Sequence, residues 1–183
     1  MHATTVANLR NAHGGESMAH MRYLLWGNRA EEEGLPNVAR LFRAIAAAEN
    51  IHAGNHFQEL KEQDGDALCA SMAVFGLGRT SQNLQGGING ETYEITEMYP
   101  TYLETAKFQK ENRAQLSFHY ALSAEKEHAA LFTKAKQFVD AGKDAELGKV
   151  HVCRVCGWTY EGELPEVCPI CGAKTEKFQT FAE

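Results

Sequence analysis

Apolar side chains recur at helical spacing along most of the chain, and glycine or proline interrupts the pattern at a few points. The first such segment predicts a helix over residues 14–33, with an apolar face formed by Met18, Met21, Leu24 and Leu25. Gly34-Leu35-Pro36 ends it and opens the next, because proline is tolerated in a first helical turn. An alanine-rich second helix is predicted over residues 37–63, where Asp64-Gly65-Asp66 stops it.

The following stretch, residues 66–80, carries Gly76 and Gly78 and predicts a long crossover rather than a tight turn. A third helix is expected to start at Thr80 or Ser81, since either side chain can cap it. Pro100 is expected to kink this helix or to end it at Tyr99.

Three glycines lie inside the third predicted helix, at Gly86, Gly87 and Gly90. Each costs about 1 kcal/mol relative to alanine in a helix interior. They therefore indicate either the close approach of another backbone or a later start of the helix. A fourth helix is predicted from near Asn112 to the Asp140-Ala141-Gly142 stop.

After Val150 the helical period disappears, and the chain becomes rich in cysteine, glycine and proline. The predicted organisation is a helical domain over residues 1–142, a linker over 143–149 and a cysteine-rich domain over 150–183. The expected fold class is an all-α four-helix bundle with one long crossover, followed by a small module of strands and loops.

Composition narrows the function classes. The chain has 183 residues, with 24 acidic and 18 basic side chains and a net charge of −6, which argues against a nucleic-acid partner. No apolar run is long enough for a membrane span, and the N-terminus lacks the pattern of a signal peptide. We therefore expect a cytoplasmic protein whose cysteines are metal ligands or free thiols rather than disulfides.

A Glu-x-x-His pair occurs twice, at Glu49/His52 and at Glu125/His128. Residues three apart lie on one face of a helix, so each pair can offer a carboxylate oxygen and an imidazole nitrogen to one metal ion. Glu16 and Glu91 precede the two pairs at nearly the same distance. One glutamate from each of two helices, together with Glu-x-x-His from each of two others, is the ligand pattern of a di-metal four-helix bundle.

The C-terminal module contains Cys153-x-x-Cys156 and Cys168-x-x-Cys171, each followed by a glycine. Four thiolates at this spacing predict a tetrahedral site for zinc or iron. A module this small needs the ion for its stability. The remaining cysteine, Cys69, is expected to be a small buried residue rather than a ligand.

The run Cys-Arg-Val-Cys-Gly-Trp-Thr-Tyr, together with Cys-Pro-Ile-Cys-Gly, closely resembles rubredoxin, which binds one iron on four cysteines. Trp158, Tyr160 and Phe178 would form its aromatic core. With the bundle included, the whole chain is similar to the rubrerythrin family. The motifs that carry this resemblance are Gly-Glu-Ser-Met-Ala-His-Met-Arg-Tyr at 15–23, Glu-Asn-Ile-His at 49–52, Gly-Glu-Thr-Tyr-Glu-Ile-Thr-Glu-Met-Tyr-Pro at 90–100 and Glu-Lys-Glu-His at 125–128.

The resemblance implies a di-iron site in the bundle, with Glu49 and Glu125 as bridging carboxylates. It adds Glu94 to the generic set, and it implies that one iron shifts between His52 when reduced and Glu94 when oxidised. The implied ligands of the two irons are Glu16, Glu49, His52, Glu91, Glu94, Glu125 and His128, and those of the single iron are Cys153, Cys156, Cys168 and Cys171.

Tyr23 and Tyr99 fall about two turns along the ligand faces. The resemblance implies that they hydrogen-bond to site carboxylates, so that they join Glu94 and His52 as catalytic residues; plain core packing is the alternative. His20 and His56 are expected to support the site or to lie at the surface. Other candidates are expected to have no role at the metals, with Glu97 and Glu127 facing solvent and Met18, Met21 and Met98 in the core.

The function implied by the resemblance is the reduction of hydrogen peroxide to water as a defence against oxidative stress. The rubredoxin iron would return electrons one at a time from a rubredoxin- or flavin-type reductase that draws on NADH or NADPH. The resemblance also implies a homodimer or higher oligomer in which one chain's rubredoxin module lies against the partner's di-iron site.

Two other functions fit the residues. An iron-storage or ferroxidase protein would use oxygen rather than peroxide, although it would not need Glu94 or the cysteine module. A structural bundle with a zinc module would act as an adaptor without catalysis, and it would be colourless.

Overall fold

The first part of the chain folds into four helical rods, as the apolar periodicity predicts. The computed structural model describes residues 1–182. The rods are α1 (Ala3–Glu32), α2 (Pro36–Glu59), a composite third rod made of α3 (Thr80–Tyr93), a π-helical segment (Glu94–Met98) and α4 (Tyr99–Phe108), and α5 (Asn112–Asp140). α1 packs along α2, and α3 packs along α5. Residues 60–79 make the long crossover between the two pairs, so the predicted bundle is confirmed.

Helix α1 begins at Ala3, whereas the sequence predicted a start at residue 14. Its additional turns place Val6, Leu9 and Ala12 in the core, which stabilises a helix that the Gly14-Gly15 pair does not interrupt. A Cβ atom on Gly14 would lie 2.6 Å from the Cys69 sulfur, so these glycines let the crossover pass close to α1. The second helix ends at Glu59 rather than at residue 63.

The third rod continues past Pro100, which was expected to kink it or to end it at Tyr99. The N–H of Tyr99 bonds to the carbonyl of Glu94, five residues earlier, so the backbone is widened immediately before the proline. Pro100 then lies in the first turn of α4, where no helical N–H is required.

Two of the glycines in the third rod are close to bulky aromatic side chains, rather than to another backbone. A Cβ atom on Gly86 would lie 2.9 Å from a ring carbon of Trp26, and one on Gly87 would lie 2.9 Å from a ring carbon of Phe132. The third rod therefore packs more tightly against these rings than any residue with a side chain would allow.

Two clusters of buried apolar side chains fill the bundle. One surrounds Tyr23, Trp26, Phe42 and Phe132, and the other surrounds Tyr99 and Phe118. Among the predicted core methionines only Met98 is buried; Met18 and Met21 are 36% and 54% exposed beside the crossover. Cys69, also predicted to be buried, is exposed. No helix within the described residues is long and apolar enough to cross a membrane.

The C-terminal module contains β1 (Val150–Cys153), β2 (Thr159–Glu161) and β3 (Phe178–Phe181). β1 is the central strand and pairs antiparallel with both neighbours. Val150 and Val152 are fully buried in the cluster that also contains Tyr23, so β1 shares the core of the bundle. Trp158 is buried as predicted, whereas Tyr160, stacked on it, is 37% exposed.

The segment between the bundle and the strands is packed against α2. Asp144 accepts hydrogen bonds from the N–H groups of Asn37 and Val38 at 2.8 and 3.2 Å, which satisfies donors at the start of that helix. Ala145 and Leu147 are buried. The module is therefore fixed against the bundle rather than loosely tethered to it.

Candidate metal centres

Four cysteine sulfurs converge between two similar turns of the C-terminal module. The N–H of Gly157 bonds to the carbonyl of Cys153, and the N–H of Gly172 bonds to that of Cys168, both at 2.9 Å. Both glycines have φ angles near +75°, at 78° and 72°, which side chains other than glycine rarely adopt. These turns aim two pairs of thiols at one point.

The sulfurs lie 3.6 Å apart for Cys153 and Cys171 and 3.5 Å apart for Cys156 and Cys168, and all four cysteines are free. The edge of a tetrahedron with metal–sulfur bonds of about 2.3 Å is roughly 3.7 Å, so this spacing fits a single tetrahedral ion. The hydrogen bond from Cys156 and nearby backbone N–H groups lower the pKa of Cys153 to about 5. One thiolate is thus already favoured without metal.

In the bundle, six of the seven predicted ligands meet in one buried cluster. They form two sets in which the candidate ligand atoms lie within 4.8 Å of one another, namely Glu16, Glu49, His52 and Glu125, and Glu49, Glu91, Glu125 and His128. All six side chains are at most 1% exposed. The two sets share Glu49 and Glu125, so the arrangement has two adjacent metal positions with two common carboxylates.

The outer nitrogens of the two histidines show which ring nitrogen faces the cluster. Nε2 of His52 lies 3.1 Å from the carbonyl oxygen of Cys156, which can only accept, so Nε2 carries the proton. Thr159 donates its hydroxyl hydrogen to Gly157, so its oxygen accepts from Nε2 of His128 at 2.9 Å. In the neutral form each ring therefore presents the Nδ1 lone pair to the carboxylates, as a metal ligand does.

The cluster contains more acceptors than the chain can satisfy. Nδ1 of His128 is 2.7 Å from a Glu125 oxygen but lacks hydrogen-bond geometry. Within residues 1–182, the buried atoms of the cluster without a hydrogen-bond partner are one oxygen each of Glu16, Glu49 and Glu91, both oxygens of Glu125, and Nδ1 of His128. An unsatisfied buried polar group costs about 1–3 kcal/mol, and more when it is charged. These oxygen and nitrogen atoms would be satisfied by bound cations, so the residues of the cluster fit metal ions.

The pKa values in the metal-free cluster show that it contains more negative charge than its histidines can balance. Burial, Glu49 and Glu125 raise the pKa of Glu16 well above its usual value, and burial and Glu49 raise that of Glu91 to about 8. Burial lowers the pKa of His52, but Glu125 and Glu49 outweigh it and raise the pKa to about 10. Without metal, protons bound to these groups therefore supply part of the positive charge that metal ions would bring.

Two tyrosines contact the cluster, one at each ligand set. The hydroxyl of Tyr23 donates to Glu91 at 2.6 Å, and that of Tyr99 donates to Glu16. Tyr99 also accepts from Nε2 of His56 at 3.0 Å, and Nδ1 of His56 accepts from Ser117 at 2.8 Å. Burial and the neighbouring His52 lower the pKa of His56 to about 3, so this ring is neutral.

The remaining candidates lie outside the two ligand sets. His20 is half-buried and contacts the backbone oxygen of Ala46, while Glu97 and Glu127 are exposed. Sequence reasoning did not find Ser117 or Thr159. Neither residue has a spacing signal, because each reaches its histidine from another element.

Glu94 is also outside both sets, although it lies one turn after Glu91. It is the first residue of the π-helical segment and lines a cavity of about 160 Å³ beside the cluster. Burial and the charge of Glu16 raise the pKa of Glu94 well above its usual value. The structure thus places His52 in the cluster and Glu94 next to it.

The cysteine module lies directly over the bundle cluster. Besides the bond between His52 and Cys156, Asn55 donates to the carbonyl of Val155 at 2.9 Å. A Cβ atom on Gly157 would lie 2.1 Å from Nε2 of His52, so only glycine allows this approach. The contact occurs within one chain, whereas the resemblance predicted it between partners.

Comparison with known proteins agrees with both centres. Sequence models of the rubrerythrin family and of the rubredoxin-like domain of rubrerythrin match residues 7–136 and 151–179. Rubrerythrin-2 of Clostridium acetobutylicum is 55% identical over 179 residues, 98% of this chain and 97% of that protein. Nigerythrin of Nitratidesulfovibrio vulgaris is 35% identical over 178 residues, 97% of this chain and 87% of that protein.

The structure of nigerythrin in its fully reduced, all-ferrous state superimposes with a TM-score of 0.86 at 34% identity, over 99% of this chain and 88% of that one. The bacterioferritin BfrA of Mycobacterium tuberculosis shares the bundle fold, with a TM-score of 0.68 at 14% identity over 78% of this chain and 90% of that one. The four cysteines hold one iron, and the Glu/His cluster is a di-iron site. The chain therefore belongs to the rubrerythrin family, whose members are peroxidase-type oxidoreductases with a di-iron centre.

Proposed function

We propose that this chain reduces hydrogen peroxide to two waters at its bundle cluster, with electrons that arrive through its own cysteine module. The observation that supports this most strongly is the position of His52. Nδ1 of the ring faces the carboxylates, while Nε2 bonds to the carbonyl of Cys156 at 3.1 Å. One imidazole therefore connects the two metal centres, an arrangement that a storage protein or a structural zinc module does not need.

We assign the ligands on the basis of the two buried sets. In the reduced protein, the irons would be held by Glu16, Glu49, His52, Glu91, Glu125 and His128, and Glu94 would replace His52 on oxidation. The position of Glu94 next to the sets, with His52 inside them, supports this exchange. Cys153, Cys156, Cys168 and Cys171 would hold the single iron.

The reaction needs two electrons and two protons for each hydrogen peroxide, and a diferrous centre supplies both electrons. The chain itself supplies proton positions. Tyr99 donates to Glu16 and is backed by the neutral ring of His56 and the hydroxyl of Ser117. Tyr23 donates to Glu91 in the other ligand set. We therefore assign Tyr23 and Tyr99, together with Glu94 and His52, as the catalytic residues.

Electrons would enter at the cysteine module, where Cys171 is partly exposed while the other three cysteines are buried. The donor would be a rubredoxin- or flavin-type reductase linked to NADH or NADPH. Five free cysteines suit the reducing cytoplasm. We retain a homodimer or higher oligomer, and the domain limits of 1–142, 143–149 and 150–183, as predictions.

A stopped-flow competition tests the proposal. Iron-loaded protein is reduced chemically without air and mixed with equal concentrations of hydrogen peroxide or oxygen. We expect peroxide to oxidise the protein faster, with one peroxide consumed for every two electrons. Faster oxidation by oxygen would favour the ferroxidase alternative. A colourless protein after expression with iron would favour the zinc adaptor, because four thiolates on ferric iron absorb visible light.

A further inference from the structure

A cavity of about 160 Å³ opens between α1, the crossover and the third rod. Met72 forms part of its outer edge and is 71% exposed. Arg22, Gly90 and Glu94 also line it. The cavity thus runs from the surface to the one predicted ligand that lies outside the two metal sets.

Its inner end is separated from the cluster by very little protein. A Cβ atom on Gly90 would lie 3.8 Å from the hydroxyl of Tyr23 and 4.0 Å from a terminal nitrogen of Arg22. The same hydroxyl donates to Glu91, which belongs to the cluster. A residue larger than glycine at position 90 would therefore project toward the Tyr23 hydroxyl and the Arg22 guanidinium at this end of the cavity.

Arg22 gives the cavity a hydrogen-bond donor. Its guanidinium carbon lies 5.4 Å from the ring centroids of both Tyr23 and Trp26, which orient the group by cation–π contact. Within residues 1–182, its Nε is buried and has no hydrogen-bond partner. A small molecule cannot reach this buried atom, but a terminal nitrogen of Arg22 lies 4.0 Å from the position of a Cβ atom on Gly90. Arginine has five N–H donors and no acceptor, so this end of the side chain can donate to an oxygen acceptor in the cavity.

We propose that this cavity is the entrance by which hydrogen peroxide reaches the metal cluster, that Gly90 sets its width, and that Arg22 positions the peroxide by donating a hydrogen bond to it. The inference rests on the proposed function. It adds a size limit at Gly90, where a side chain would point toward the Tyr23 hydroxyl and would hinder a branched alkyl hydroperoxide more than hydrogen peroxide.

The first test narrows the entrance with Gly90→Val in the iron-loaded, chemically reduced protein. The rate constant for oxidation is measured with hydrogen peroxide and with tert-butyl hydroperoxide. We expect a fall of roughly tenfold with hydrogen peroxide and a larger one with the alkyl hydroperoxide, because a single extra methylene in a fitted space is already worth about 10–200-fold. The rate of nitric oxide binding, which involves no turnover, should also fall.

Gly54→Val is the matched control, because Gly54 lies in α2 and a Cβ atom added there would have no packing neighbour within 4 Å among the described residues. Iron content and the thermal unfolding midpoint identify any loss of folding. Should Gly90→Val misfold, Gly90→Ala introduces only ordinary van der Waals contacts, and a smaller fall in the same rates is expected. Rates for both Gly90 variants equal to that of Gly54→Val would place the entrance elsewhere.

Met72→Ala tests the outer edge of the cavity by widening it, whereas Gly90→Val narrows the inner end. We expect it to raise the rate with tert-butyl hydroperoxide severalfold while leaving nitric oxide binding almost unchanged. An unchanged alkyl hydroperoxide rate would contradict a limiting role of this edge.

Arg22→Gln and Arg22→Lys test the donor. The glutamine variant should slow oxidation by hydrogen peroxide without slowing nitric oxide binding, and lysine should restore part of the rate. Equal slowing of both reactions would show that Arg22 acts only on the shape of the cavity. If the wild-type protein is not oxidised by peroxide, the proposed function fails, whereas the nitric oxide rates still decide whether this cavity is the entrance.

Discussion

At the scale of single residues, the histidines of the cluster are oriented by atoms that come from the cysteine module. The carbonyl of Cys156 and the hydroxyl of Thr159 hold Nε2 of His52 and His128, so both rings turn Nδ1 toward the carboxylates. These two contacts cross from the module to the bundle. The module therefore shapes the cluster as well as binding its own metal.

The replacement Glu94→Ala should separate metal binding from reactivity. The two ligand sets do not include Glu94, so the variant should fold and bind two irons in the bundle. Reactivity with peroxide should fall more than iron affinity does, since the oxidised centre would lose the carboxylate that we propose as its additional ligand. Iron analysis and stopped-flow oxidation measure the two effects. The control, Glu97→Ala, alters an exposed side chain and should be mild; the reverse ranking would move the ligand assignment by one turn.

The replacement Tyr99→Phe should destabilise the metal-free protein. It removes the donor to Glu16 and leaves Nε2 of the buried His56 without its partner. A buried group left unsatisfied costs about 1–3 kcal/mol, and the free energy of unfolding should fall by that amount in urea denaturation. Tyr160→Phe, at a ring that is 37% exposed, is expected to change little. Equal effects of the two replacements would argue against the hydrogen-bond chain.

At the scale of elements, the π-helical segment has two effects on the third rod. It carries the helix past Pro100, and it places Glu94 at the point where the helical register changes. π-segments inside helices often occur at functional sites. The side chains after Glu94 therefore face directions that an uninterrupted α-helix would not give them.

The glycines of the third rod allow a prediction about packing. Gly87→Ala would place a Cβ atom 2.9 Å from a ring carbon of the fully buried Phe132. Overpacking costs about 1–3 kcal/mol, which exceeds the gain of up to about 1 kcal/mol in helix propensity. Gly54→Ala, at an open position, should raise the free energy of unfolding instead. Urea denaturation of both variants checks the sign, and a stabilising Gly87→Ala would contradict the tight packing.

The four rods and the meeting of six predicted ligand residues could be foreseen from the sequence, because both depend on helical period and local spacing. The early start of α1 was missed because Gly14-Gly15 resembles a boundary, and only the crossover packed on it explains the pair. The continuation past Pro100 was missed because a π-turn has no pattern of its own. Contacts such as His56 with Ser117, 61 residues apart, depend on packing between elements.

At the scale of the whole molecule, the cysteine module covers the bundle cluster of its own chain. His52, Asn55 and Gly157 form this contact without a partner subunit. A single chain is therefore sufficient to bring the two centres together. An oligomer, which the resemblance implies, would have to retain this arrangement or exchange the module between chains.

The replacement Cys168→Ser should separate electron supply from peroxide chemistry. It should remove the red ferric-thiolate absorption and stop steady turnover with a reductase. Oxidation of the chemically reduced protein by one portion of peroxide should remain largely intact, because the substrate reacts in the bundle and the buried Val150 and Val152 keep the module packed against it. Visible spectra and single-turnover kinetics measure both effects. Loss of the single-turnover reaction as well would mean that the module is required for the chemistry itself.

Arg40 ties the second helix to the end of the chain, and this affects how the protein is made. Arg40 is 9% exposed, and its guanidinium donates to the backbone oxygens of Leu147, Gly148 and Phe181, the last of these 141 residues later. At about 5–20 residues per second, a ribosome needs roughly 7–28 s to add that stretch. During synthesis the Arg40 guanidinium therefore lacks the Phe181 carbonyl as an acceptor for this time. Helix α2 reaches its native surroundings only after strand β3 has emerged.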